Sequence, residues 1–154
     1  MGLAVETLTE QERHNLNVVL EFISLEKPLS PENSARLRKP DYKIGRIGLA
    51  GVKDLTGFQG SNGFVKTSIT QRTDSVRDFI VQADTVWVLG ELSGKHSDPI
   101  FGIPATHRWL RVSELLFFKL EDGKIAEHSF MIDELDFLRQ IGAKIELPPL
   151  SHRQ

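Results

Sequence analysis

The chain has no cysteine. Disulfides, thiolate nucleophiles and cysteine-ligated metals are excluded, and the redox compartment is left open. No apolar run approaches the roughly 20 residues that span a bilayer. Neither sign of charge dominates: 19 basic and 21 acidic residues leave a net charge of −2. That gives no electrostatic footprint for nucleic acid or an anionic membrane. Residues 1–12 lack the basic stretch and apolar core of a signal peptide, so a cytoplasmic location is the expectation. Gly57, Gly60 and Gly63 are spaced by three, unlike a dinucleotide fingerprint, and Gly90 to Lys95 lacks the spacing of a phosphate-binding loop. There is no Gly-x-Ser-x-Gly elbow. The histidines at 14, 96, 107, 128 and 152 form no helical pair with metal-ligand spacing, so no metal is expected.

What is present fits one domain of 154 residues, long enough to bury roughly 70% of its unfolded surface. Thr9-Glu10-Gln11-Glu12 is a capping box. Leu16, Val19, Leu20 and Ile23 follow on one helical face, and Pro28 ends that helix. Ser30-Pro31 restarts a short one, as N-cap and first helical residue. Residues 39–63 are dotted with glycine and remain unassigned. A helix is expected from Ser61 to Gln71, burying Phe64, Val65 and Ile69.

From Val76 the chain reads as four strands, Val76–Gln82, Val86–Ser93, His107–Leu120 and Ile125–Ile132, with turns at Ala83-Asp84 and Asp122-Gly123. In the third strand Arg108, Leu110, Val112, Glu114, Leu116, Phe118 and Leu120 share one face, apolar except at Arg108 and Glu114, which marks it as the interior. A closing helix over Glu134–Ile141 buries Leu135, Leu138 and Ile141 and ends at Gly142, and the tail Leu147–Gln154 is expected to fray. Helices first, then antiparallel strands, then a helix, predict an α+β fold with helices on one face of one sheet.

Among the residues that carry chemistry, Asp133 stands where the last strand meets the closing helix, as a cap or as a pocket carboxylate. Glu114 is the one carboxylate on an apolar face, which implies a pocket position or a pairing such as with Arg108, since an unpaired buried charge is unfavourable. Glu91 and His128 are expected to point outward. Trp87, Trp109 and Phe117 give the outer sheet face apolar character, as an oligomer contact would need.

Several segments together resemble the SnoaL-like polyketide cyclases of the nuclear transport factor 2-like superfamily. The family's Gly-Asp turn and strand ending in Gly-Thr-His are matched by Ala83-Asp84 and Gly94-Lys95-His96. Phe101-Gly102-Ile103-Pro104-Ala105-Thr106 matches Phe-Gly-Ile-Pro-x-Thr, and Phe118-Lys119-Leu120-Glu121-Asp122-Gly123-Lys124-Ile125 matches Phe-Arg-x-Glu-Asp-Gly-Lys-Ile. The family's Glu-His-Trp, Asp and Leu-Gly elements align with Glu127-His128-Ser129, Asp133-Glu134-Leu135 and Ile141-Gly142.

The resemblance covers Ala83 to Gly142 within a single domain whose core spans about residues 9–143. It implies a cone-shaped curved sheet whose N-terminal helices close an apolar pocket, and a homodimer formed through the sheet. It also implies cofactor-free acid–base chemistry on a hydrophobic, polyketide- or terpenoid-like molecule, as a cyclase or isomerase. Epoxide opening in the same pocket, or a non-catalytic binding or assembly domain, are the alternatives, because one fold hosts all of them. The resemblance assigns Asp133 the acid–base role and His96 a hydrogen bond to substrate. Glu114, Leu116, Phe118 and Ser129 would contact substrate. Ser129 stands for the family's tryptophan, which should enlarge or re-wet the pocket.

Overall fold

The computed structural model describes residues 7–27, 29–46, 68–100, 102–144 and 146. In chain order the elements are α1 (Glu10–Ser24), α2 (Pro31–Leu37), β1 (Arg38–Arg46), β2 (Ile69–Gln82), β3 (Thr85–His96), β4 (Trp109–Glu121), β5 (Lys124–Ile132) and α3 (Glu134–Gln140). The strands form one curved, unclosed sheet in the order β1-β5-β4-β3-β2. All neighbours are antiparallel except β1 and β5, which run parallel.

Both N-terminal helices start as the sequence predicts. Thr9 and Glu12 complete a reciprocal capping box on α1, and Ser30 caps α2 with Pro31 in its first turn. Glu12 also reaches the sheet: its Oε1 accepts from the Ala83 amide at 3.0 Å. Gln11 Nε2 donates to Asp84 at 2.8 Å, and buried Asn15 donates to the Ala83 carbonyl at 3.1 Å. The front of α1 is therefore tied to the β2–β3 turn, where Ala83 holds a φ of +50°. At the other end no basic residue lies in the last turn. Instead the Lys27 ammonium donates to the carbonyls of Phe22, Ile23 and Leu25 at 2.6, 3.3 and 2.6 Å, satisfying acceptors that a helix end leaves open. Pro28 lies outside the described residues.

The sheet differs from expectation in two strands. Residues Arg38–Arg46, left unassigned in the sequence, form β1 at an edge of the sheet, a position that tolerates Pro40. The helix expected over Ser61–Gln71 stops earlier than expected: Ser68 is helical, and Ile69, buried as expected, already begins the long strand β2. Ser61–Thr67, with Phe64 and Val65, lie outside the described residues, as does the tail Leu147–Gln154. Polar residues such as Thr70, Gln71, Arg72 and Thr73 hid this half of the strand; on an edge strand they are free to face solvent.

The concave side carries two apolar clusters. The larger lies under the N-terminal helices and joins Leu16, Val19, Phe22 and Leu37 to Val86, Val88, Leu116, Phe118 and Ile125. The smaller lies under α3 and joins Ile69, Leu92, Ile100, Leu110 and Val112 to Phe137 and Ile141. Here α3 corrects the sequence: Leu135 is exposed and Phe137 is buried in its place. Gly142 follows the helix with a φ of +95°, as a C′ glycine should.

At the β4–β5 turn both Asp122 and Gly123 have positive φ, +52° and +73°, the backbone of a type I′ hairpin. A Cβ on Gly123 would lie 2.7 Å from His14 Nε2. Gly123→Ala is expected to lose about 1–2 kcal/mol, combining left-handed strain with that contact. Urea unfolding should show a lower midpoint with an unchanged slope.

Candidate functional site

The register of β5 sets what lines the interior. Opposite Lys119 and Leu120 stand Glu127 and Ile125, so β5 carries one extra residue there. Beyond this bulge the alternation is shifted. His128 pairs with Phe118, Phe130 with Leu116 and Ile132 with Glu114, all on the concave face. Ser129 pairs with Phe117 and Gly45, on the convex face.

This corrects two expectations. His128 points in, not out. Its ring stacks on Phe118 at 4.5 Å and 6°, with Phe22 edge-on at 5.4 Å and Phe130 at 5.9 Å. Both of its nitrogens are enclosed and lack a hydrogen-bond partner among the described residues. Burial, then the charges of Lys27, Arg72 and Arg38, pushes its pKa down to about 3, so the ring is neutral. Ser129 lies on the convex side, close enough to Gly45 that a Cβ there would be 2.7 Å from its Oγ. The residue that stands for the family's tryptophan therefore lies on the outer face of the sheet.

Glu114 lies between the two apolar clusters. It is 3% exposed, faces the interior between Val112 and Leu116, and is flanked in register by Gly90 and Ile132. Gly90 makes its space: a Cβ at that position would stand 3.3 Å from both Cγ and Oε1 of Glu114 and 2.9 Å from the Ser75 carbonyl. No ion pair with Arg108, or with any other cation, forms among the described residues. Desolvation first, then the charge of Asp74, pushes the Glu114 pKa up to about 7, partly offset by Arg72 and Lys27. Arg72 is itself held by Asp74 at 2.8 Å. Lys27 has its pKa lowered by burial first, with Asp74 and Glu114 opposing. Lys27 and Arg72 thus act on both Glu114 and His128. None of Lys27, Arg72, Asp74 and Gly90 was singled out from sequence; the reach of Lys27 beyond α1 and the approach of the Arg72–Asp74 pair from an edge strand leave no linear signal.

Asp133 and His96, to which the resemblance assigns catalysis, each make contacts of their own. Asp133 is exposed, and its side chain accepts from the Asp136 amide at 3.0 Å as the N-cap of α3. Its backbone amide donates to the Ser113 carbonyl at 3.0 Å. His96 is fully buried at the end of β3 beside Ile69. Its Nδ1 accepts from the Thr106 amide at 3.3 Å and lies 3.0 Å from Thr106 Oγ1, while Nε2 has no partner among the described residues. No hydrogen bond joins His96 to Asp133 among these residues. Leu116 and Phe118 lie in the larger cluster, on the concave face.

On the convex face Glu91 points outward as expected, but it is covered. Arg111 approaches it at 3.0 Å and Arg77 also pairs with it. No group of three or more His, Asp or Glu residues capable of holding a metal ion occurs among the described residues, and no described helix is long and apolar enough to cross a membrane.

The two inward groups impose opposite pH dependence. Glu114 has a folded pKa above its unfolded 4.5, so its contribution is present below 4.5 and is lost as pH rises through about 7. His128 has a folded pKa below its unfolded 6.5, so its contribution is present above 6.5 and is lost as pH falls towards 3. Glu114→Gln removes the first effect. Its stability relative to wild type is expected to rise with pH between 4.5 and 8, by up to about 3 kcal/mol. Urea titrations at several pH values measure this; parallel stability curves for the two proteins would refute it.

The comparisons with known proteins agree with this architecture. The SnoaL-like polyketide cyclase family model matches residues 58–141. No curated protein matches the chain. Among solved structures, a candidate SnoaL-like polyketide cyclase from a Jannaschia species is 19% identical, with a TM-score of 0.74 over 90% of this chain and 98% of that one. IdmH from Streptomyces antibioticus, named as a candidate polyketide cyclase, is 25% identical, with a TM-score of 0.68 over 87% and 100%. A phenazine biosynthesis-related protein from Pseudomonas aeruginosa is 15% identical, with a TM-score of 0.71 over 94% and 96%. With the curved sheet, the covering helices and a family match across more than half its length, this chain belongs to the SnoaL-like polyketide cyclase family.

Proposed function

We propose that the protein is a cofactor-free acid–base cyclase or isomerase of biosynthesis, acting on a polyketide-like molecule held against the concave face. Glu114 carries the acid–base role. The supporting observation is an interior carboxylate with no pairing cation among the described residues and a pKa near 7, suited to a group that both takes and returns a proton. Glu114 removes a proton from the carbon next to a substrate carbonyl, and the C–H electron pair passes into the enolate. In a cyclisation the enolate carbon attacks a second carbonyl of the same molecule, forming the C–C bond, and the new alkoxide takes the proton back from Glu114. In an isomerisation the proton returns to a different carbon. Lys27 and Arg72 add positive potential that favours the enolate. Asp133 and His96 serve the frame in this scheme, one as helix cap and one as the anchor of the Thr106 backbone.

The test is exchange of the α-protons of α-tetralone, a bicyclic aryl ketone, in D2O, followed by NMR. Wild-type protein should exceed the protein-free rate. Glu114→Gln should lower it about 10²- to 10⁴-fold, while Asp133→Asn, which keeps a capping oxygen, should match wild type. Wild-type exchange in Glu114→Gln, or loss confined to Asp133→Asn, would return the role to Asp133.

We also propose that the convex face forms a homodimer. Ile80, Trp87 and Phe117 make one cross-strand row, and Leu89, Leu115 and Met131 another. Ile80, Trp87, Leu89 and Met131 are between 38% and 56% exposed, a continuous apolar surface of the kind that contacts a partner. Light scattering should give twice the chain mass for wild type and the chain mass for Leu89→Lys.

A further inference from the structure

Glu114 is 3% exposed, so a molecule reaches its carboxyl group only after an element over the interior moves. The two ends of the concave face are covered differently. α1 is tied to the β2–β3 turn by Gln11, Glu12 and Asn15, and it buries Leu16, Val18, Val19, Phe22 and Ile23. α3 has seven residues and buries only Phe137, with Ile141 following as its C-cap. A helix of that length is not stable alone. Its ends are held by polar contacts with β4. β5 stops at Ile132, in register with Glu114, so the start of β4 runs on without β5 beside it. The Asp133 amide donates to the Ser113 carbonyl at 3.0 Å. Two residues further back the Gln140 side chain takes the place of a strand peptide. Its Oε1 accepts from the Arg111 amide at 2.9 Å, and its Nε2 donates to the Arg111 carbonyl at 2.8 Å. A primary amide offers the donor and the acceptor that such a position needs. Asp136, one turn earlier, orients that amide by accepting from Nε2 at 2.6 Å. Both Gln140–Arg111 bonds lie at the surface, where water competes for them and each adds little.

We propose that α3 is a lid, hinged at Asp133 and latched by Gln140 on the Arg111 backbone, and that its release opens the way to Glu114. This inference rests on the acid–base reading of Glu114 and adds the route by which that group is reached. On release, Phe137 and Ile141 leave the smaller apolar cluster and uncover Leu92, Leu110 and Val112. The hinge lies next to Ile132, so the opening starts beside the Glu114–Ile132 pair. α1 stays seated, because its ties to the β2–β3 turn do not involve α3.

Amide exchange followed by NMR, together with carbodiimide labelling of Glu114, tests this. The Arg111 amide donates to Gln140 and so reports the latch directly. Gln140→Leu, which keeps the bulk and removes the bonds, should speed exchange at Arg111, Phe137 and Ile141 about tenfold. The β3–β4 ladder should keep its wild-type rates, because the opening is local. With glycine methyl ester as nucleophile, Glu114 in that variant should also be labelled about tenfold faster, as read by peptide mass spectrometry. Glu12→Ala, which frees α1 from the Ala83 amide, should label Glu114 at the wild-type rate. A uniform rise of exchange through the sheet, or unchanged Glu114 labelling in Gln140→Leu, would overturn the proposal. Faster labelling in Glu12→Ala alone would place the entrance beneath α1 and overturn it too. If Gln140→Leu does not fold, Asp136→Ala, which leaves Gln140 without its orienting carboxylate, should give the same local pattern at smaller size. Neither readout needs turnover. A failure of α-tetralone exchange with labelling still governed by Gln140 would remove the catalytic reading and leave the lid.

Discussion

One extra residue in β5 decides the composition of the interior. Strict alternation from buried Ile125 would turn Glu127 and Ser129 inward and send His128, Phe130 and Ile132 to the convex side. The bulge opposite Lys119 and Leu120 reverses that. An aromatic cage closes around an imidazole, Ile132 comes beside Glu114, and the small polar Ser129 moves out against Gly45. The contact between Phe22 of α1 and the His128 ring exists only in this register. Bulges that re-aim side chains recur beside functional sites, and this one sets which residues of β5 face the interior.

The concave face is thus a core interrupted by polar groups. Two well-packed apolar clusters flank a row where Gly90 leaves space, Glu114 fills it with a carboxyl group, and Asp74 and Arg72 hold each other at its edge. An apolar side chain of similar shape at Glu114 would oppose folding less, since a buried carboxyl group with no cation paired to it among the described residues is unfavourable.

What could be read from sequence follows physical range. The capping box at Thr9, the Ser30-Pro31 start, the Asp122-Gly123 turn and the two faces of β4 depend on neighbours within a few residues, and all are observed. The family motif was legible for the same reason, as order and spacing along the chain. The misread parts depend on distant partners. β1 contains Pro40, Asp41 and Gly45 and becomes a strand only through pairing with β5. The polar start of β2 looks unlike a strand until the edge position explains it. The bulge lies in the pairing of two strands, so neither strand shows it alone. At Asp133 a good cap and a pocket carboxylate look identical in sequence; the structure adds the capping bond from the Asp136 amide and the exposure of the side chain.

The parallel pairing of β1 with β5 has a consequence for assembly. Arg38 meets Ile125 and Lys43 meets Glu127, so the first strand of the sheet is joined to the last one made. On the ribosome β1 has no partner until the C-terminal third of the chain has emerged, and the entropy of closing that long loop must be met before the contact stabilises anything. The β2–β3–β4–β5 meander can form from neighbouring hairpins in the meantime. Addition of β1 to the sheet therefore comes late in synthesis, and until then the edge of β5 that it covers is open to strands from other chains.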